Sequence, residues 1–236
     1  MEVLEVSHLV KSYSGKTAVN DLSFSVVSGE TLGLIGPNGA GKTTLIRILA
    51  TLSQPTSGDV KLNGFNPVTE GDQVRKSIGV MTHHSFLYQA LTASENLKFY
   101  GQMFEVEPLE ETIEYLLDKV GLSSRKHDAV RTFSRGMQQR LSIARALLHS
   151  PPILLLDEPY TGLDYAATKM LQQILATYHS EGKTVLLTTH DMEKGLEQCD
   201  DIAIMARGEL VYTGAANTIK MRSEKLKKNF QSVEIE

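Results

Sequence analysis

Short stretches of alternating or continuous apolar residues fill the first third of the chain, and this pattern predicts β-strands. The predicted strands comprise residues 3–10, 18–27, 31–35, 59–62 and 77–82. Residues 43–52 instead carry leucine and isoleucine at helical spacing, which predicts a helix soon after the third strand. The first third is therefore expected to be rich in β-structure, with one helix behind a short apolar strand.

The middle of the chain, from residue 92 to residue 150, has a helical pattern almost throughout. Thr92 and Glu95 have the spacing of a capping box, which satisfies free N–H groups at a helix start. Pro108 and Gly121 bound a second predicted helix. Ser134 is well placed to cap a third. We therefore expect a helical insertion of roughly 60–70 residues.

The last third returns to alternating strands and helices. Residues 153–157 are a continuous apolar strand, of the kind that is buried on both faces of a parallel sheet. A helix is predicted over residues 165–179 and a strand over residues 184–189. Arg207 and Gly208 then indicate a hairpin. The order of elements predicts an α/β fold interrupted by the helical insertion.

Composition and charge exclude several classes of protein. The 236 residues include 24 Lys+Arg and 28 Asp+Glu, a formal net charge of −4, which argues against a partner nucleic acid held by general basic charge. The longest apolar run, residues 153–156, is far shorter than the roughly 18 residues of a membrane span. The acidic first residues are unlike a signal peptide, so a cytoplasmic protein is expected. A single cysteine, Cys199, excludes a cysteine-cluster metal site.

A phosphate-binding loop, which we define as residues 36–44, follows the third predicted strand with the spacing G-x-x-x-x-G-K-[ST]. Small residues let backbone N–H groups surround a phosphate, and the following helix start adds partial positive charge. Lys42 is expected to reach the β- and γ-phosphates, and the Thr43 hydroxyl to ligate Mg²⁺. The predicted nucleotide-binding residues of the loop are Gly36, Pro37, Asn38, Gly39, Ala40, Gly41, Lys42, Thr43 and Thr44.

Two carboxylates stand at the end of the apolar strand at residues 153–157. A carboxylate at the C-terminal edge of such a strand is placed to join the coordination of Mg²⁺, which is the role expected of Asp157. The adjacent Glu158 is expected to polarise the attacking water as a general base. Together with the phosphate-binding loop, these carboxylates point to an enzyme that uses a nucleotide with Mg²⁺.

Three further segments occur in a fixed order around the carboxylates. They are residues 133–140 (FSRGMQQR), which we call the signature segment, residues 161–164 (TGLD) and residues 189–191 (THD). With the phosphate-binding loop, they make the chain resemble the nucleotide-binding subunit of an ABC transporter over nearly its whole length. The resemblance implies ATP and Mg²⁺ as cofactors and ATP hydrolysis as the activity.

The same resemblance implies a domain organisation. It corresponds to a P-loop NTPase with a RecA-like core, an antiparallel β subdomain and a helical insertion. Residues 1–83 and 151–236 would form the α/β nucleotide-binding core, and residues 84–150 the helical signature subdomain.

Residue roles also follow from the resemblance. Tyr13 would stack on the adenine ring, while Ser134 and Gly136 would grip the γ-phosphate of an ATP molecule held by a partner subunit. His190 would contact the γ-phosphate and help to position the water. The catalytic residues implied are Glu158, His190 and Lys42.

The chain departs from the pattern of the family at two places. Arg135 and Met137 replace the usual residues of the signature segment. His83 stands where the family normally has a glutamine that touches Mg²⁺ and the water and signals to the membrane subunit. The implied metal contacts are therefore Thr43, Asp157 and His83.

Other ATPases with a similar head fit the sequence less well. A DNA-maintenance ATPase inserts a long coiled coil before the signature segment, and no sustained heptads occur here. Translation-associated ATPases usually carry two cassettes in one chain. A non-catalytic binding module is disfavoured by intact Lys42, Asp157, Glu158 and His190.

Within the transporter class, the sequence leaves the cargo open. His83, His84 and residues 133–137 resemble ATPases of haem export in cytochrome c maturation, and they equally resemble general exporters of the ABC-2 type. We expect a homodimer or a paired ATPase subunit that sandwiches ATP, without direct contact to the cargo. A separate transmembrane permease would hold the chain at the inner face of the cell membrane, and residues 86–100 are the expected docking surface.

Overall fold

Two β-sheets form the scaffold of the protein in the computed structural model, which describes residues 1–83 and 85–221. The strands in this part of the chain are β1 (Glu2–Tyr13), β2 (Lys16–Val27), β3 (Thr31–Ile35), β4 (Ser57–Leu62), β5 (Ile78–Met81), β6 (Ile153–Asp157), β7 (Thr184–Thr189), β8 (Asp201–Ala206) and β9 (Glu209–Ala215). The helices are α1 (Lys42–Leu49), α2 (Gly71–Ser77), α3 (Ala93–Met103), α4 (Leu109–Lys119), α5 (Arg135–Leu147), α6 (Tyr165–Ser180), α7 (Met192–Gln198) and α8 (Ala216–Met221). His84, one of the two histidines noted above, lies outside the described residues.

The larger sheet has the strand order β5-β6-β7-β3-β8-β9. All neighbouring pairs are parallel except β8 and β9, which form the antiparallel hairpin predicted around Arg207 and Gly208. Every residue of β3, β6 and β7 is buried, as expected for parallel strands covered on both faces. Because parallel strands end at the same edge, the segments that follow β3, β6 and β7 meet there.

The smaller sheet is antiparallel, with the order β2-β1-β4. Strand β1 runs on to Tyr13, three residues beyond the predicted end, because it pairs with β2 as far as the Tyr13–Lys16 position. Helix α1 packs between the two sheets and contributes Leu45, Ile46 and Ile48 to their shared core. This packing fixes the phosphate-binding loop between β3 and the start of α1.

Helices α3, α4 and α5 enclose a second apolar core with strand β6 and helix α6. Their predicted ends are confirmed: Thr92 and Glu95 form the capping box of α3, Gly121 follows α4 with a φ of 64°, and Ser134 caps α5. Pro108 is the cap residue of α4 rather than its first helical residue. The division into a core of residues 1–83 and 151–236 and a helical subdomain of residues 84–150 stays a prediction.

One sequence prediction of local structure is wrong, and the short helix α2 was not predicted. Helix α1 ends at Leu49, not at residue 52, because Thr51 adopts a φ of 61° and the amides of Thr51 and Leu52 bond back to the carbonyls of Ile48 and Arg47. Such a turn usually contains glycine, so no local pattern predicted the turn at Thr51. Helix α2 was not predicted, because its seven residues bury only Val74 and Ser77.

No helix among the described residues combines the length and the apolar character that crossing a membrane requires.

His149 lies just beyond α5 in a largely buried position. Its ring stacks on Phe104 with a centroid separation of 4.0 Å, and its Nε2 atom lies 3.1 Å from the carbonyl oxygen of Ile78. Burial lowers the pKa of His149 to about 4. The imidazole is therefore neutral in the folded protein at pH values at which a free histidine is already protonated.

The buried His149 is expected to make the fold sensitive to acid. Its pKa is lower in the folded state than in the unfolded state, so between pH 6.5 and 4 the unfolded chain binds a proton that the folded chain does not. From pH 7 to pH 5 this group should lower the free energy of unfolding by about 2 kcal/mol. Urea denaturation at both pH values should show a smaller loss for H149F than for the wild type. The exposed H127F serves as the control, and equal losses in all three proteins would contradict the assignment.

Candidate active site

Lys42 lies at the centre of the phosphate-binding loop and is 5% exposed. Its Nζ atom donates to the carbonyl oxygens of Gly36 and Pro37, the latter at 3.1 Å, and lies 3.5 Å from Glu158 Oε1. Burial lowers the pKa of Lys42, and the carboxylates of Glu158 and Asp157 oppose this effect. The side chain is thus a buried cation held against the loop and beside a carboxylate.

At two glycines of the loop, the main chain lies so close to the main chain of a neighbouring strand that a side chain would not fit. A Cβ atom on Gly36 would lie 2.2 Å from the carbonyl oxygen of Met205. At Gly41, which has a φ of 105°, it would lie 2.2 Å from the carbonyl oxygen of Ala18. Both distances are far below contact between carbon and oxygen. The loop is therefore closely packed against β2 and β8 on the side away from its interior.

Asp157 is the last residue of β6. Its side chain is buried, and both carboxylate oxygens accept hydrogen bonds. Its Oδ2 atom accepts a hydrogen bond from the Thr43 hydroxyl at 2.9 Å, and its Oδ1 atom accepts one from the Thr188 hydroxyl at 2.7 Å. His83 Nδ1 lies 3.8 Å from Oδ2. The structure thus brings together the three side chains predicted as metal contacts, and it adds Thr188 as a neighbour.

Glu158 has an unusual backbone conformation, with a φ of 52°. Its N–H group lies 3.2 Å from the carbonyl oxygen and 3.0 Å from the hydroxyl oxygen of Thr188. Its Oε2 atom lies 2.9 Å from His190 Nδ1, and its Oε1 atom lies on the Lys42 side. The left-handed turn therefore aims this carboxylate between the lysine and the histidine.

Thr188 is a neighbour of both carboxylates that the sequence did not predict. It lies in β7, directly paired with Asp157 across the sheet. The signal in the sequence was a pair of hydroxyl residues, Thr188 and Thr189, at the end of an otherwise apolar strand. Both are buried, and a buried hydroxyl needs a partner.

Two clefts meet at Glu158. The larger, about 360 Å³, lies beyond the end of the parallel strands and includes Asn38, His83, Arg135 and His190 in its lining. The smaller, about 170 Å³, follows the phosphate-binding loop. Glu158 and Asn38 line both clefts, so the space at the loop and the space beside the signature segment adjoin at these two residues.

Ser134, Gly136 and Tyr13 line neither of these two clefts. The Ser134 hydroxyl accepts the Met137 N–H at 3.2 Å at the exposed start of α5. Tyr13 is 46% exposed at the end of β1. The nucleotide-binding roles implied for these three residues stay predictions.

The Gln139 side chain connects helix α5 to the residue that follows Glu158. Gln139 Nε2 donates to the carbonyl oxygen of Pro159 at 2.7 Å. A displacement of the signature segment would therefore act on the turn that holds Glu158.

A phosphate-binding loop after one parallel strand, with two carboxylates after another, defines a P-loop nucleotide hydrolase. A family model described as ABC transporter matches residues 19–161, which is more than half of the chain. The chain belongs to the ABC transporter family. It is an ATP-binding subunit with ATPase activity, as predicted.

Individual relatives agree with this assignment. The chain is 37% identical to the ABC transporter ATP-binding protein NatA of Bacillus subtilis, over 91% of this chain and 89% of that protein. It is also 37% identical to the Nod factor export ATP-binding protein I of Rhizobium johnstonii, over 92% of this chain and 70% of that protein. The structure of an ATP-binding cassette dimer in a post-hydrolysis state, bound to ADP and Pi, aligns with a TM-score of 0.83 at 26% identity. That alignment covers 90% of this chain and 98% of the cassette, and it confirms the predicted P-loop NTPase fold.

Proposed function

We propose that two ATPase subunits of this kind hydrolyse ATP between them and so drive export through a separate membrane subunit. The observation that carries the proposal is the convergence of Lys42, Thr43, Asp157, Glu158 and His190 within hydrogen-bond or ion-pair distance at one edge of the parallel sheet. Each of these groups has a distinct part in phosphoryl transfer to water.

Proton transfer is assigned to the Glu158–His190 pair. Glu158 is placed to accept a proton from the attacking water, and His190 at 2.9 Å orients its carboxylate. Lys42 offers positive charge to the phosphates from within the loop. Because Glu158 lies beside Lys42, the base is held close to the expected γ-phosphate position.

The residues beside Lys42 fit a magnesium ion. Mg²⁺ prefers oxygen ligands and is usually held by one or two protein groups together with substrate phosphates and water. Thr43 Oγ1 and Asp157 Oδ2 are two such oxygens, 2.9 Å apart. The ion would neutralise charge on the β- and γ-phosphates.

His83 is assigned a contact through water rather than directly to the metal. Its Nδ1 atom lies 3.8 Å from Asp157 Oδ2, and an imidazole nitrogen is a poorer ligand for Mg²⁺ than oxygen. Its side chain also lines the larger cleft beside Glu158 and His190. This position suits a group that orients a water molecule.

Pairing of two subunits follows from where the signature segment lies. Ser134 caps the exposed start of α5, where helix N–H groups and their partial positive charge attract an anion. A second subunit, related by twofold symmetry, would supply this helix start to the phosphate-binding loop of the first. Release of the bridging phosphate would then let the pair open.

A mostly apolar groove of about 220 Å³ is the surface that we assign to the membrane subunit. It lies between the end of α1, β5 and helices α3 and α5, and its lining includes Phe86, Tyr100 and Met103. Phe86 is 38% and Met103 56% exposed. Leu87, which lies within residues 86–100, does not contribute to this surface, because it is only 8% exposed and belongs to the second apolar core.

Charge at the groove indicates what would occupy it. The Arg145 guanidinium lies 5.4 Å from the ring of Phe86 and 5.2 Å from the ring of Tyr100, and it donates to the carbonyl oxygen of Val80. Its Nε atom is buried and makes no hydrogen bond within the described chain. We therefore assign the groove to a short helix of the membrane subunit with an apolar face and an acidic residue.

Replacing Met103 by glutamate is expected to weaken binding of the membrane subunit at least about tenfold, because a charge would enter an apolar interface. The ATPase rate of the isolated chain should stay within about twofold, since Met103 lies outside the active site. Co-purification from membranes, with both subunits quantified, measures the effect.

Tyr115 offers a matched control for this experiment. It is 61% exposed on α4 and does not line the groove, so Y115E should co-purify like the wild type. Equal recovery with M103E and Y115E would place the docking surface elsewhere.

We propose that the chain serves a general exporter, and we assign no particular cargo to it. Haem export is the narrower hypothesis and rests on the resemblance of His83 and residues 133–137. The relative from Rhizobium johnstonii carries the name of a Nod factor export protein at 37% identity, which supports export in general rather than one substrate. Identification of the membrane protein that co-purifies with the chain decides between the two.

A further inference from the structure

We propose that Thr188 is a positioning residue for ATP hydrolysis, which orients both carboxylates at the end of β6 with one hydroxyl group. The inference rests on the proposed roles of Asp157 and Glu158. Thr188 itself is 0% exposed and touches neither of the clefts at the active site, so it acts through these neighbours.

The direction of each hydrogen bond at Thr188 follows from chemistry. A hydroxyl group has one proton to donate and two lone pairs with which to accept. The N–H of Glu158, 3.0 Å away, is only a donor, so the Thr188 oxygen accepts there. Its single proton is therefore directed to Asp157 Oδ1 at 2.7 Å. Both bonds are made at once, without competition between them.

The bond to Asp157 fixes the plane of that carboxylate. With Oδ1 engaged by Thr188, Oδ2 is turned towards Thr43, whose hydroxyl lies 2.9 Å from it. Asp157 and Thr188 are directly opposite each other in the parallel pair β6–β7, so the sheet itself holds this geometry. Oδ2 is thus presented to the expected metal position before any ligand binds.

The bond to Glu158 supports an uncommon backbone turn. A φ of 52° is rare for a residue other than glycine and persists where the surroundings hold it. Here the Glu158 N–H is anchored by both the carbonyl and the hydroxyl of Thr188. The turn sends the Glu158 side chain towards Lys42 and His190. One residue of β7 therefore sets the orientation of the metal ligand and of the general base.

Thr188→Val removes the hydroxyl and keeps the shape of the side chain. We expect kcat to fall about tenfold and the Mg²⁺ concentration for half-maximal activity to rise about tenfold, as is typical when a partner of a metal ligand is lost. Binding of the fluorescent nucleotide mant-ATP in EDTA should stay within about twofold, while the tightening caused by added Mg²⁺ should shrink about tenfold. Thr188→Ser keeps the hydroxyl and should recover at least about half of kcat.

Thr184→Val is the matched control, because it removes a buried hydroxyl from the same strand, at the end away from the active site. The Thr184 hydroxyl accepts from Gly29 N at 3.0 Å, so this variant should lose stability without any change in the response to Mg²⁺. A T188V enzyme with the kcat and Mg²⁺ response of T184V would overturn the proposal. If T188V does not fold, T188A, which lacks the hydroxyl, is compared with T188S, which keeps it. A fully active T188A would then overturn the proposal.

The Asp157→Asn variant distinguishes a failure of this inference from a failure of the proposed active site. It should abolish the effect of Mg²⁺ on mant-ATP binding. If D157N keeps the full effect of Mg²⁺, the assignment of the metal site fails. If D157N loses it while T188V keeps it, only the role of Thr188 fails.

Discussion

Replacing Glu158 by glutamine is expected to slow ATP hydrolysis by about 10²–10³-fold while ATP binding persists. Glutamine has nearly the same shape but does not accept a proton from water. The Glu158 carboxylate lies 3.5 Å from Lys42 and beside the expected γ-phosphate, so its removal also relieves repulsion between two anions. ATP should therefore bind at least as tightly, and the paired state should accumulate because the phosphate that bridges the subunits is not released.

Two measurements check this expectation for E158Q. Phosphate release gives the rate, and light scattering with Mg²⁺ and ATP gives the mass, which should double relative to the nucleotide-free protein. E197Q, which changes an exposed carboxylate on α7, is the control and should behave as the wild type. A normal rate for E158Q would remove Glu158 as general base, and a variant that stays monomeric with ATP would contradict the pairing proposal.

Replacing Gly41 by alanine is expected to weaken ATP binding about 100-fold. The residue has a φ of 105°, a conformation that side chains rarely adopt, and a Cβ atom would lie 2.2 Å from the carbonyl oxygen of Ala18. Because that oxygen belongs to the main chain of β2, it does not move aside as a flexible side chain would. The loop should shift instead, and the amides that surround the phosphate would lose their alignment.

Gly39 lies in the same loop and provides the comparison. Its φ of 83° is also unfavourable for alanine, but a Cβ atom there meets nothing within 4 Å. G39A should therefore weaken binding only about fivefold, from backbone strain alone. Isothermal titration with ATP measures both variants, and thermal denaturation tests whether they are folded. Equal affinity losses in G39A and G41A would show that contact with β2 does not shape the loop.

Local signals in the sequence were enough to predict most elements of the fold. The capping box at Thr92, the cap at Ser134 and the glycine after α4 all involve residues within a few positions of each other. The continuous apolar strand at residues 153–157 likewise reports burial on both faces. Such signals fail where the decisive residue is atypical, as at Thr51, which occupies a position usually held by glycine.

The active site was predictable only in part, for a similar reason. Lys42, Thr43, Asp157 and Glu158 lie in motifs whose spacing reflects their chemistry. Thr188 and the Gln139–Pro159 bond depend on which strands are neighbours and on how α5 lies against the sheet. Strand order is set by contacts between distant parts of the chain, which no local pattern reports. The sequence therefore predicted the reacting groups, while the structure added Thr188 as a neighbour of two of them.

The order of strands in the larger sheet has a consequence for how the protein is made. Strand β3, which leads into the phosphate-binding loop, pairs on one side with β7 and on the other with β8. Both partners are synthesised long after it, at roughly 5–20 residues per second. A nascent chain that lacks residues 184–206 has neither of the strands with which β3 pairs in the folded protein. We therefore expect β3 and the phosphate-binding loop to reach their folded positions only after β7 has been made.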